Sequence, residues 1–152
     1  MNTNELKCKL EESQITGPYF LNVYALDQLP QKNIMKDPWL LVCNCCPAHL
    51  PGRHWIAMFK QSSTIEFFDS FGFHPNLYGL QSFLDVQDTN TILYNNVKLQ
   101  SILTNVCGHY CLYFAYFRSL GESMHSIVER LHRLEEDQDE HVYDHVVKLY
   151  IE

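Results

Sequence analysis

The chain has 152 residues, 46% of them hydrophobic, and 11 Lys and Arg stand against 18 Asp and Glu for a formal net charge of -7. That length suits one buried core, a single domain over residues 1–152, and is short for two; the acidic balance gives no reason to expect a polyanion as the main partner. No uninterrupted run of about 18 apolar residues occurs, which excludes a membrane-spanning helix, and residues 1–10 are polar and charged, unlike a secretory signal.

In chain order, Asn2 or Thr3 caps a short first helix with Leu6 and Leu10 on one side. Thr16-Gly17-Pro18 ends it, an apolar segment starts at residues 19–21, and residues 28–33 read as loop. The unbroken apolar run 39–43 has the length of a buried strand. A turn over 47–52 leads into strands 54–59 and 64–69, joined by the polar hairpin Gln61-Ser62-Ser63. Gly72 and Pro75 mark 70–75 as loop. Leu77, Leu80, Gln81 and Leu84 follow helical spacing, and 91–93 and 97–100 are expected as short strands around Asn95-Asn96. The apolar segment 107–120 is long enough for a helix. Two more helices, 123–134 and 139–151, close the chain. The last is expected to bury Val142, Val146 and Leu149 and to turn His141 and His145 to solvent. The sum is α+β, with a central mixed or antiparallel sheet flanked by helices.

Nucleophilic catalysis by cysteine needs a thiolate, a base for its proton, and donors aimed at the oxyanion. A helix start favours a thiolate, because unpaired N–H groups and the helix dipole stabilise negative charge there. Of six cysteines, all read as thiols in a chain without a secretory signal, only Cys107 has that placement; Cys111 lies one turn deeper and reads as packing. His54, at the start of a strand, is expected to expose its ring at a sheet edge as the base. Asp69 ends the neighbouring strand at the same end of the hairpin, where paired side chains lie about 5 Å apart, and can orient the imidazole. The Gln100 amide and the Cys107 N–H are the candidate oxyanion donors. Trp55 and Gly108 would wall the approach to Cys107 so that glycine threads it most easily.

Taken singly, each of these residues has a structural explanation, as core thiol, strand histidine or turn cap; the order His, Asp, Gln, Cys is what is specific. Cys43-x-Cys45-Cys46 lacks a second ligand pair for zinc, His141 and His145 lack the glutamate of His-Glu-x-x-His, and His109 sits inside the helix after the nucleophile. Neither a metal nor a cofactor is expected.

Gly52-x-His54-Trp55, Asp69-x-Phe71-Gly72-Phe73 and Gln100-Ser101 followed by Cys107-Gly108 resemble the adenovirus protease (adenain) family, and Gly17-Pro18-Tyr19-Phe20-Leu21 is similar to its opening segment. The wider clan includes proteases that remove SUMO and ubiquitin-like proteins; the seven-residue step from Gln100 to Cys107 and the Gly-Pro-Tyr-Phe-Leu segment favour adenain. The resemblance implies papain-like geometry and an endopeptidase cutting beside glycine in viral or virus-like precursor proteins during particle maturation. A monomer inside the host cell, in nucleus or cytoplasm, and in the virion is expected. Three departures stand out. The acid is Asp69 where the adenovirus enzymes have glutamate, and the C-terminal part is shorter. The acidic balance and the lack of a cysteine between Asp69 and Cys107 argue against DNA as a strong cofactor and against a covalent tether there for an activating peptide. The alternatives are an isopeptidase acting on a ubiquitin-like or SUMO-like Gly-Gly tail, and an inert interaction module.

Overall fold

The computed structural model describes residues 1–45 and 54–151; the turn expected over 47–52, with Gly52, and Cys46 lie outside them. In chain order the elements are α1 (Thr3–Glu12), β1 (Phe20–Ala25), β2 (Trp39–Asn44), β3 (Trp55–Gln61), β4 (Thr64–Phe68), α2 (Gln81–Asp85), β5 (Thr91–Tyr94), α3 (Cys107–Ser119), α4 (Met124–His132) and α5 (Gln138–Leu149). The strands form one sheet in the order β1-β2-β3-β4-β5. Its outer pairs are parallel and its central pairs antiparallel, so the sheet is mixed.

The continuous apolar run of β2 follows from burial on both faces. Leu40 and Val42 join Ala57, Phe59 and Phe68 under α1, α3, α4 and α5. The alternate side chains Trp39, Leu41 and Cys43 meet Ile56, Met58, Ile65 and Phe67 under α2. Period-two alternation thus sends Trp55 to the α3 side. Helix α3 is fixed on that face along its length. The Phe114 ring stacks on Phe68 with centroids 4.7 Å apart, and Arg118 Nε donates at 3.1 Å to Glu66 of β4. At the other end of the chain, Asn2 and Glu5 close a capping box on α1, as the cap prediction required.

Three expectations need correction. Residues 97–100 form no strand: pairing of β4 with β5 ends at Phe67 and Tyr94, and the Leu99 and Gln100 amides donate instead to the Ser70 carbonyl at 2.9 and 3.0 Å. The helical spacing from Leu77 to Leu84 is broken at Gly79, whose φ of 72° ends a 3-10 turn over Pro75–Tyr78 before α2 begins. His141 and His145 are not on a solvated face: their rings stack at 4.0 Å and stand edge-on to Tyr113. Val142 and Val146 are buried as expected, while Leu149 is half-buried.

Candidate active site

The antiparallel ladder of β3 and β4 sets the first two groups. His54 immediately precedes β3, and its carbonyl accepts the Cys45 N–H at 2.9 Å. Asp69 immediately follows β4. Across the end of this hairpin His54 Nε2 and Asp69 Oδ1 are 2.6 Å apart. His54 is not at a sheet edge. It stands at the end of the central strand, buried, with the Phe71 ring stacked on it at 4.7 Å.

Asp69 has no solvent exposure, so its charge must be met by donors. Besides the histidine, Oδ1 accepts the Phe71 N–H at 3.0 Å. Oδ2 accepts the Tyr78 hydroxyl at 2.6 Å and the Phe73 N–H at 3.2 Å. The loop curls this tightly only because residue 72 is glycine: its φ is +73°, and a Cβ there would lie 2.6 Å from the Val97 carbonyl carbon. Asn95 fixes the Asp69 backbone by accepting its N–H at 2.8 Å. Burial works against the carboxylate, but the hydrogen bonds from His54, Tyr78 and Phe71 and the charge on His54 prevail and hold its pKa below the ordinary value.

Cys107 is the first residue of α3. Its N-cap, Val106, offers no side-chain acceptor and the first turn has no acid, so the opening N–H groups face the thiol side without a competing anion. Burial opposes the thiolate, but hydrogen bonds from the His54 ring, from the Trp55 N–H and from the Gly108 N–H, with the charge on His54, lower the Cys107 pKa. Conversely, burial opposes the imidazolium, but Asp69 and the Cys107 thiolate raise the His54 pKa to about 9. With Nε2 engaged by Asp69, the nitrogen left for the thiol is Nδ1, which is buried and has no hydrogen-bond partner at the distances of this structure. The arrangement can hold a thiolate–imidazolium pair and move one proton between Cys107 and a leaving group.

Gln100 reaches the same place from the loop before α3. It is buried; Oε1 accepts the Ser70 hydroxyl at 2.6 Å and Nε2 donates to the Thr104 carbonyl at 3.1 Å. The structure thus joins His54, Asp69 and Cys107, and it ties Gln100 to Ser70, the residue that follows Asp69, with its amide bonded to Ser70 and Thr104. Trp55 is buried beside Gly108, its Cδ1 lying 3.5 Å from where a Gly108 Cβ would stand. What Trp55 offers the thiolate is its backbone N–H.

The roles of Ser70, Tyr78, Asn95 and the Trp55 N–H escape sequence reasoning. The nearest signal is Pro75 at the start of a short turn, which returns Tyr78 toward Asp69. Among the described residues no three metal-ligating side chains converge, and Cys8, Cys43, Cys45, Cys107 and Cys111 are thiols.

No family model and no curated protein sequence matches the chain. Its structure is similar to a crystal structure of the ASFV pS273R protease, with a TM-score of 0.62 and 19% identity over 95% of this chain. A selenomethionine crystal structure of the same protease matches over 76% of this chain, with a TM-score of 0.52 and 22% identity. The chain spans 66% and 45% of those two chains. The likeness shows the fold, the α+β architecture of papain-like geometry expected from the sequence.

Proposed function

We propose that the protein is a viral-type cysteine endopeptidase. The observation that carries this reading is the convergence of a buried, fully hydrogen-bonded Asp69, an imidazole of raised pKa and a thiol of lowered pKa at a helix N-terminus. In the reaction, the Cys107 sulfur attacks the scissile carbonyl carbon. The carbonyl π pair moves to oxygen, where the Cys107 N–H and the Gln100 amide stabilise it. His54 gives its proton through Nδ1 to the leaving nitrogen as the C–N bond breaks, leaving a thioester. A water deprotonated by His54 then cleaves the thioester and restores the pair.

The sequence resemblance directs the substrate reading to viral precursor proteins cut beside glycine during particle maturation. Asp69 as the acid, a feature of the deconjugating enzymes, favours the second reading, an isopeptidase acting on a Gly-Gly tail. A random peptide library, run beside ubiquitin and SUMO conjugates with C107A as control, separates the two. Library cleavage beside glycine, absent in C107A, supports the endopeptidase. Cleavage of conjugates alone supports the isopeptidase, and no turnover with either together with an unreactive Cys107 overturns both. The charge balance further predicts that duplex DNA gives little stimulation across a salt series, since strong, salt-sensitive DNA binding needs clustered cations.

A further inference from the structure

We infer that Asp139, at the start of α5, is a positioning residue for the oxyanion side of this site, acting through Thr104 on Gln100. The inference rests on Cys107 being the nucleophile of an acyl-transfer reaction.

The loop between Gln100 and α3 has little to hold it in place. Residues 101–105 are all exposed, and its outer bend carries Ile102 and Leu103 with 73% and 91% of their surface in solvent. Hydrophobic burial therefore does not fix this loop; polar bonds at its base must. Asp139 supplies them while itself only 9% exposed. Its Oδ1 accepts the Tyr110 hydroxyl of α3 at 2.6 Å. Its Oδ2 accepts the Thr104 hydroxyl at 2.7 Å and the Ser101 N–H at 3.2 Å. The carboxylate also sits in the first turn of α5, where the dipole favours an anion.

From Thr104 the chain of bonds continues. Its carbonyl accepts Gln100 Nε2 at 3.1 Å, and Gln100 Oε1 accepts the Ser70 hydroxyl at 2.6 Å. These two bonds fix which side of the amide is oxygen and commit one N–H to Thr104. Thr104 Oγ1, at 3.5 Å from Nε2, makes only a long second contact with the amide, which a developing oxyanion would displace. Asp139 thus ties the loop to α3 and α5 at once, and through Thr104 it holds the Gln100 amide in the segment that leads into Cys107. Small misplacements of an oxyanion donor are costly, because its contribution depends on preorganised geometry.

The test compares two reactions of Cys107 that need no knowledge of the natural substrate. With p-nitrophenyl acetate the sulfur attacks a carbonyl, an oxyanion forms, and the C–O bond to p-nitrophenolate breaks. With iodoacetamide the sulfur displaces iodide at a saturated carbon and no oxyanion forms. D139N keeps the shape but cannot accept from Tyr110, Thr104 and Ser101 as a carboxylate does. It should slow acylation roughly tenfold, less than the ~10²-fold for outright loss of a donor, and leave alkylation and its pH profile unchanged. T104V should behave alike, also where D139N folds poorly, and T104S should restore acylation. Adding D139N to Q100A should cost nothing further, because both act on one donor. Unchanged acylation in both D139N and T104V, or an equal fall of both reactions, overturns the inference. If wild-type Cys107 alkylates like an ordinary thiol at mildly acidic pH, the protease reading fails and this inference with it.

Discussion

The first and second turns of α3 carry a cysteine each, both buried, and the two thiols are driven in opposite directions. Cys111 is enclosed by the core, and burial, with the charges of Cys107 and Asp69 adding to it, raises its pKa well above the ordinary value. Cys43, on β2, is pushed up to about 12 by burial alone. Burial opposes the Cys107 thiolate too, yet its pKa falls, because the His54 ring and the N–H groups of Trp55 and Gly108 converge on it. The difference is one helical turn. Within a helix the N–H groups are spent on the preceding turn's carbonyls, whereas at its start they are available to an anion. Desolvation alone makes an inert thiol; desolvation with oriented donors makes a nucleophile.

The largest effect should come from removing the group on the favourable side of that comparison. C107A should abolish hydrolysis and electrophile labelling, measured by peptide turnover and by mass spectrometry of the iodoacetamide adduct. Labelling that persists at Cys111 at a comparable rate would erase the contrast between the two turns. H54A should fall close to C107A in hydrolysis, since members of such a unit are not additive. It should also return Cys107 alkylation toward an ordinary thiol profile.

The pH dependence has a definite sign. The productive pair needs Cys107 deprotonated and His54 protonated. Activity should therefore rise as pH climbs through the lowered Cys107 pKa and decline as His54 loses its proton at about 9. Alkylating Cys107 removes one of the two anions that support the imidazolium. The His54 pKa, followed by NMR of the ring, should then drop. A His54 pKa that is indifferent to alkylation would mean that the histidine answers to Asp69 alone.

How much of this was legible beforehand depended on the range of the interaction. Periodicity located β2, β3, β4 and α3 because buried strands and helices impose their spacing on the chain itself. Hairpin geometry likewise put Asp69 at the same end of the hairpin as His54, although the register makes the pair diagonal rather than directly opposite. The 97–100 segment was misread because its partner is the Ser70 carbonyl rather than a strand. The three other donors around Asp69 were out of reach for a related reason: Phe71, Phe73 and Tyr78 converge only after Gly72 takes a positive φ and the Pro75 turn reverses the chain. Side-chain to backbone contacts of this kind leave no period in a sequence.

Those donors give the next, smaller test. Y78F removes one of the hydrogen bonds that stabilise the Asp69 charge and leaves the ring in place. A hydrogen bond to a charged group is worth about 1.5–3 kcal/mol, but His54, Phe71 and Phe73 still hold the carboxylate. The Asp69 pKa should rise and kcat fall by several-fold, with KM unchanged. A larger loss than in D69N would show that Tyr78 does more than support Asp69.

The smallest effect is expected at Cys111. C111A should leave kcat and the Cys107 alkylation profile within about twofold of wild type, with a stability loss on the order of 1 kcal/mol from the deleted atom. The reason is reciprocity. The Cys107 thiolate raises the Cys111 pKa, so an ionised Cys111 would in turn disfavour the Cys107 thiolate. A thiol held neutral by burial exerts no such charge, and removing it changes nothing for its neighbour. If C111A instead moves the Cys107 profile to lower pH, Cys111 carries charge in the native protein, and the second turn of α3 is not the apolar site that its burial makes it.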